Sequence, residues 1–416
     1  MSARPAAVVR VILAIAVLAW QARSTMAAEA ITLDQALERA VTENPEIRAA
    51  VAELRAAEGR RVAAGTIAYN PEFDARLGRP SGGGQTGYDY EVSLSQRLEL
   101  GGKRSKRTSA AEAQQESSRL RLEWTRWRVR VQVRRAYWLA IVARDRLAIV
   151  EQAQALAREL AQAARERMEF GAATQLELNL AVAAEGRTRQ DRLVAEQRLR
   201  LARADLAAAT ATPAGTELDP VGGLPEMAAP AIGEDEYVAG ALRRRSDLVA
   251  EQRQVEAARA RRDLARAQAV PDVAVGATFG RGAIGARDTV LFGISVPLPL
   301  WNRNQGGRIE AAADLARAEV VADTARRELE RDARTAYRNF ALAREAVAGF
   351  DRDVIERLSQ NLELARESFR SGKIGLLVFN VVRRDLVETR LAYLDAMAGL
   401  VEAHQAFELA SGGSVE

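Results

Sequence analysis

The sequence has no cysteine, a single histidine (His404), five methionines and only 5% aromatic residues in 416. The missing cysteines exclude disulfides, thiolate metal ligands and any lipid-bearing cysteine after a leader. One imidazole and few thioethers cannot build a soft or imidazole metal site within one chain, so no resident metal is expected. There is no nucleophile-histidine-acid set, phosphate loop or dinucleotide fingerprint, which makes the chain non-enzymatic and cofactor-free on this reading. Charge is nearly balanced as well. The formal net charge is +4, but Arg4, Arg10 and Arg23 all precede Glu29, the first acidic residue. The remainder is close to neutral, and no nucleic-acid partner is expected. Only Val8 to Trp20 forms a long apolar run, shorter than the roughly 20 residues of a spanning helix. With its basic start and the small residues from Ala27 to Ala30, segment 1–28 reads as a cleaved secretory signal.

Alanine, arginine, leucine and glutamate supply the bulk, the composition of long helices and coiled coils. Thr32 reads as an N-cap and Asn44-Pro45 as a break between two helices within Ile31 to Ala64. Strict alternation then predicts strands at about 72–79 and 88–98, joined by the glycine-rich loop Pro80 to Gly87. From Gly101 no proline occurs until Pro213, and the pattern is helical throughout. On the inbound arm Trp138, Val142, Ile149, Ala153, Leu156, Leu160 and Ala163 follow coiled-coil spacing. An arm from Lys103 to Phe170 would approach about 100 Å in length. Gly171 closes it as a turn with φ > 0.

After a proline- and glycine-rich connector, 212–233, the plan repeats at an offset of 200 or 201 residues. Pro71 lines up with Pro271, Leu98 to Lys103 with Leu298 to Arg303, Gly171 with Gly372, and Asn179 with Asn380. Strands are predicted again at about 272–280 and 289–298, and the second hairpin turns at Gly372. The first repeat is therefore 29–211 and the second 234–416, an internal duplication. The last helix carries the heptad Phe379, Val382, Leu386, Thr389, Tyr393, Ala396, Leu400, Ala403, Phe407. His404 falls between two of these positions and reads as a partly exposed side chain.

Each half contributes two strands of about ten residues, and a strand tilted through a bilayer needs roughly 9–11. Four strands cannot close, since barrels in lipid begin at about eight. Either several chains share one barrel, or the sheet is a soluble cap on a helical scaffold. Tyr69, Tyr88, Tyr90, Phe279, Phe292 and Trp301 near strand ends resemble an interfacial aromatic girdle and favour the membrane. The lipid-facing positions would be Tyr88, Tyr90, Val92, Leu94, Val275, Phe279, Phe292 and Ile294. Gly101, Gly102, Gly306 and Gly307 would turn the backbone from strand to helix, while Pro297 and Pro299 end the ladder.

Ile31-Thr32-Leu33-Asp34-Gln35-Ala36-Leu37, Asn44-Pro45-Glu46-Ile47, the duplicated strand-strand-long-helix plan and the paired glycine tips resemble the TolC-like outer membrane efflux factors. Glu99 to Arg104 and Val296 to Gly306 are similar to segments of the CzcC/CusC-type branch, which serves heavy-metal cation export. The resemblance implies a mainly α fold with a small β part. It also implies a homotrimer whose twelve-stranded outer-membrane β-barrel continues into a periplasmic helical coiled-coil barrel. It further implies docking to a periplasmic adaptor and an inner-membrane RND pump, with Gly171, Thr174, Gly372 and Lys373 at the docking tips. Relatives narrow the periplasmic mouth with acidic residues past the tip glycine. Here Glu177 holds such a place, and an aperture would rest on Glu177, Asn179 and Asn380. A drug or other small-molecule duct, a soluble periplasmic scaffold and a peripheral hydrolase on a helical frame are the alternatives.

Overall fold

A computed structural model describes residues 29–79, 88–213, 215–282, 287–350 and 352–413. The expected leader and the expected loop 80–87 lie outside the described residues. In chain order the elements are β1 (Glu29–Ile31), α1 (Leu33–Glu43), α2 (Pro45–Gly65), β2 (Glu72–Gly78), β3 (Asp89–Leu98), α3 (Lys103–Glu169) and α4 (Gln175–Ala209). The second half adds β4 (Leu218–Pro220), α5 (Glu234–Arg244), α6 (Ser246–Ala267), β5 (Val273–Arg281), β6 (Asp288–Ser295), α7 (Gln305–Ala348), α8 (Arg352–Arg370) and α9 (Leu376–Ser411).

Two compact units emerge, and each draws segments from both sequence halves. The first takes residues up to Ile47, Arg126–Val238 and those from Asp332 onward; the second takes Arg48–Thr125 and Ala239–Arg331.

In the first unit, Thr32 starts α1 through a capping box. Its hydroxyl accepts the Gln35 N–H at 3.3 Å while the Gln35 side chain accepts the Thr32 N–H at 3.0 Å. Asn44 ends α1, and its Oδ1 accepts the Glu46 N–H at 2.8 Å to open α2 behind Pro45. The connector is not only loop: β4 pairs in parallel with β1, setting Ile31 opposite Pro220. Ile31 and Leu218 are fully buried there, and the Tyr137 hydroxyl donates to the Ile31 carbonyl at 3.1 Å. Tyr237 stacks on Phe407 at 4.4 Å and donates its hydroxyl proton to the Phe407 carbonyl.

The buried line on α3 differs from the expected seam. Trp138, Val142, Ala153 and Leu160 are buried, but Ile149, Leu156 and Ala163 are only half-buried, and their neighbours Val150, Ala157 and Ala164 take the interior. On α9 the heptad residues Phe379, Leu386, Leu400 and Phe407 are buried, while Val382, Thr389, Tyr393, Ala396 and Ala403 are half-buried. The inbound arm of the second half is also broken, into α7 and α8, around Gly349 and Phe350.

The second unit holds the four-stranded antiparallel sheet, in the order β2-β3-β5-β6. Its ladder ends at Ser295, short of the expected Leu298, because Pro297 and Pro299 lack the N–H that a ladder needs. An ion pair fixes the junction of β3 with α3. Lys103 Nζ lies 2.6 Å from Asp272 Oδ1, the two side chains only 9% and 12% exposed. Asp272 also accepts the Leu100 N–H at 3.1 Å and the Tyr69 hydroxyl at 3.3 Å. Gly101 and Gly102 turn the chain here with φ of 71° and 70°.

The second strand-to-helix junction corrects one expectation. Gly306 and Gly307 do not bend the backbone: both lie in the first turn of α7, and Asn304 takes the left-handed conformation at φ 56° instead. Gly307 is needed for space, since a Cβ there would meet Asn304 Oδ1 at 2.5 Å. Asn304 Nδ2 donates to the Ala265 carbonyl at 2.9 Å and to Gln268 Oε1 at 2.8 Å. Gly307→Ala should displace this side chain and destabilise the fold by about 1 kcal/mol or more through the lost hydrogen bonds. Gly306→Ala, where nothing lies within 4 Å, should be neutral or stabilising in a helix. Denaturation midpoints of the two variants check the contrast; equal midpoints would contradict it.

Candidate functional site: the sheet faces and the helical tips

Residues directly opposite in an antiparallel sheet point to the same side, so the register sorts the strands into two faces. Val92 stands between Ala75 and Phe279, Leu94 between Phe73 and Ala277, Ala277 opposite Phe292, and Val275 opposite Ile294. Tyr90 faces Leu77 and Phe279 faces Val290 on that same side. One face is therefore mainly apolar across all four strands, with Gln96, Arg281 and Asp288 as its polar exceptions. Its side chains are not covered: Phe292 is 85% exposed, Ile294 75%, Leu77 74% and Phe73 71%. The other face presents Glu72, Asp74, Arg76, Asp89, Glu91, Ser93, Ser95, Arg97, Thr278, Thr289 and Ser295, with Ala274 and Leu291 as its apolar exceptions. Arg76 lies 3.0 Å from Asp74 and 3.7 Å from Glu91 on that polar side.

Seven of the eight expected lipid-facing residues fall in the ladder on the apolar face. Tyr88 sits one residue before β3, beneath the Arg79 guanidinium at 4.8 Å. Tyr69 departs from the expected aromatic girdle, since its hydroxyl serves Asp272. Among the described residues no helix is long and apolar enough to cross a membrane.

In the first unit both hairpin turns have the same backbone geometry. Gly171 and Gly372 have φ of 68° and 73°. Each turn closes with paired bonds, Gly171 N–H to Met168 O and Ala172 N–H to Arg167 O, repeated as Gly372 N–H to Phe369 O and Lys373 N–H to Ser368 O. The helices that leave the turns start differently. Thr174 caps α4 with a full capping box to Glu177, whereas Gly375 caps α9 with no side-chain bond. The backbone N–H of Thr174 holds the Glu177 carboxyl below its ordinary value. Asn179 accepts from Gln175 at 2.9 Å, and Asn380 Oδ1 is buried with no hydrogen-bond partner among the described residues. No hydrogen bond joins Glu177, Asn179 and Asn380 among the described residues. Leu160, Ala161, Ala164, Ala181, Ala365, Leu376 and Phe379 pack the two hairpins together behind the turns. Phe170, Leu176, Leu377 and Val378 remain exposed at the tips, as does Lys373.

Sequence reasoning passed over Arg383, which is only 8% exposed on α9. Burial pulls its guanidinium below the ordinary value and Asp191 opposes the shift. Its position between Phe379 and Leu386 at spacings of four and three was the available signal, hidden by the choice of Val382 for the seam. Arg366 of α8 pairs with Glu159 of α3 at 3.2 Å, linking the two hairpins.

His404 is more enclosed than expected, its side chain 19% exposed between Trp138 at 5.5 Å and Phe340 at 5.3 Å. Burial pushes its imidazole down to about 4, and Arg134 acts in the same direction. Glu408 lies 3.7 Å from His404 Nδ1, but it is paired with Arg134 at 2.9 Å and its own carboxyl is raised by burial. The imidazole is therefore neutral and contributes ring packing. An unfolded histidine titrates near 6.5, so the unfolded chain binds more protons and stability falls as pH drops from about 6.5 to about 4. Glu408 works in the opposite sense, contributing at low pH and losing that contribution as pH rises through its raised value. His404→Phe should leave the fold intact at pH 7 and soften the acid-side loss of stability between pH 6.5 and 4. Thermal unfolding followed across that range checks it; an unchanged acid-side loss in the variant would show that the imidazole does not set it.

The chain is similar to several known proteins. The chain is 27% identical over 383 residues to the cobalt-zinc-cadmium resistance protein CzcC of Cupriavidus metallidurans, covering 91% of this chain and 89% of that one. It is 28% identical over 341 residues to the nickel-cobalt-cadmium resistance protein NccC of Alcaligenes xylosoxydans xylosoxydans, covering 79% and 74%. The pyoverdine export outer membrane protein OpmQ of Pseudomonas putida is 27% identical over 414 residues, covering 92% and 86%. In fold the chain matches the CusC channel with a TM-score of 0.75 at 17% identity, covering 92% of each chain. VceC of Vibrio cholerae matches with a TM-score of 0.72 at 19% identity, covering 92% and 97%. The model of the outer membrane efflux protein family matches residues 36–212 and again 238–413, one match in each half, and the chain belongs to that family.

Proposed function

We propose that this chain is the exit duct of a three-part efflux system that expels heavy-metal cations, working with a periplasmic adaptor and an inner-membrane RND pump. The family places it in the outer membrane as an efflux channel. The observation that carries the reading is the sheet, with one exposed apolar face, one polar face and open edges at β2 and β6. A soluble cap would turn its apolar face onto the helices; a duct turns it to lipid and lines its interior with the polar face. Three copies would supply twelve strands and close a barrel. CzcC and NccC, named for metal resistance, support the cargo. Without cysteine and with one histidine, the chain offers a passing ion only carboxylates, so cargo choice rests with the pump. Gly171, Thr174, Gly372 and Lys373 are proposed as the adaptor-docking tips, and Glu177, Asn179 and Asn380 as the aperture.

The test is complementation in a Gram-negative host that keeps a metal pump and adaptor but lacks its exit duct. Cobalt, zinc or cadmium tolerance should return. Return of siderophore export alone would favour the small-molecule duct suggested by OpmQ. Val92→Arg and Ile294→Arg should abolish the rescue, each costing about 2–4 kcal/mol per copy at a bilayer midplane. Unchanged insertion of both would mean that this face does not meet lipid.

A second test isolates the tips. Nothing lies within 4 Å of a Cβ built at Gly372, so its φ of 73° alone decides what the position tolerates. Gly372→Val strains the backbone there, whereas asparagine adopts the left-handed region readily. The valine variant should insert and assemble but lose export and adaptor crosslinking; Gly372→Asn should keep most activity. Identical behaviour of the two would contradict the docking role of this turn.

A further inference from the structure

The duplication fixes more than the fold of one copy. Within one chain, the second strand of the first half, β3, pairs with the first strand of the second half, β5. Among the described residues the second strand of the second half, β6, has no partner beyond β5, and the first strand of the first half, β2, has none beyond β3. These are the two positions that a second copy would fill by repeating the internal pairing.

The offset of 200 residues holds at the side-chain level around the junctions. Arg104 Nε donates to the Gly65 carbonyl at 2.7 Å, and Asn304 Nδ2 donates to the Ala265 carbonyl at 2.9 Å, with both partners shifted by 200. The internal junction is locked by Lys103 and Asp272. Shifted by the same 200, in opposite directions, these become Arg303 and Glu72. Both are exposed, and neither forms an ion pair among the described residues.

We infer that Arg303 of one copy pairs with Glu72 of a second copy, and that β6 meets β2 of that copy with Ile294 opposite Leu77. The register follows from the internal pair Leu94 and Ala277, taken to 294 and 77. The pair Leu98 and Val273 becomes Leu298 and Phe73 in the same way. In this register the alternate positions Ile294 with Leu77, Val296 with Ala75 and Leu298 with Phe73 bring apolar side chains together, and Ile294, Leu77, Leu298 and Phe73 are all more than 70% exposed in the single chain. A shift by one residue would set apolar against polar side chains. Charge agrees too, an arginine meeting a glutamate where the internal contact has a lysine meeting an aspartate. The inference rests on the shared-barrel reading but is narrower, since another register could also close a barrel.

The cysteine-free sequence makes the test direct. Leu77 and Ile294 lie on the two outer strands, three strand spacings or about 14 Å apart across the sheet, and Ile294 stands a further six residues along β6 from Asp288, which lines up with Leu77, so cysteines there cannot join within one chain. The double variant Leu77→Cys with Ile294→Cys, oxidised in outer membranes, should run as covalent multimers on denaturing gels. The double variant Phe73→Cys with Ile294→Cys, four residues out of register, should not. Crosslinking of the second pair, or of neither, in a protein that still migrates as an oligomer in mild detergent would overturn the register and leave the shared barrel standing. A monomer in mild detergent would overturn both. Glu72→Arg and Arg303→Glu should each lower the heat-dissociation temperature of the oligomer by roughly 2–4 °C, and the combined variant should recover the loss. Failure of the combined variant to recover would remove the ion pair.

Discussion

An open strand edge cannot sit in hydrocarbon, because each unpaired N–H or C=O there costs several kcal/mol. Among its described residues this chain carries two such edges on a sheet whose mainly apolar face is exposed. The remaining features of the second unit answer that constraint. The duplication supplies two strands from each half, so half of the closure problem is solved inside one chain by the β3 to β5 pairing. Lys103 and Asp272 then pin that internal seam, one residue from each half, in a nearly dry ion pair. Breaking such a pair leaves a buried charge uncompensated, which makes the seam hard to slip.

Much of this was legible in the sequence because strand alternation is a short-range signal. Tyr90, Val92 and Leu94 alternate with Glu91, Ser93 and Ser95, and no tertiary knowledge is needed to assign them to one face. What failed to show is what depends on partners far away in sequence. β4 has only three residues, too few for a period, and exists because β1 lies alongside it. On α3 apolar residues stand side by side, Ile149 with Val150 and Leu156 with Ala157, and spacing alone does not say which of each pair takes the interior. Gly306 and Gly307 were assigned the turn because glycine is the default for positive φ. Asn304 is the other residue that tolerates that region, and it stood two positions earlier.

The candidate site was legible to different depths. Gly171 and Gly372 announce their turns by composition and have the positive φ that a Schellman closure uses. The aperture residues come from the family resemblance, and the fold gives them no common bonding. Glu177 holds the Thr174 N–H, Asn179 accepts from Gln175, and the buried Asn380 Oδ1 has no hydrogen-bond partner among the described residues. The sequence of a single chain cannot display contacts that only neighbouring copies complete.

The two tips show what duplication preserves and what it lets diverge. Both keep the same backbone closure, so the turn itself is held in common. The helix after Gly171 begins with Thr174 and Glu177 satisfying each other's backbone donors, a local device that needs no neighbour. The helix after Gly372 has glycine at that cap, and in place of side-chain bonds it buries Leu376 and Phe379 against Leu160, Ala164 and Ala365. The first tip can therefore keep its geometry when the hairpins part, because its bonds are within one turn of helix. The second is held by the other hairpin, and separating the two would expose Phe379 to water. If the hairpins move against each other, the turn at Gly372 is the one whose helix start must be remade, which makes the second copy the mechanically dependent half of the pair.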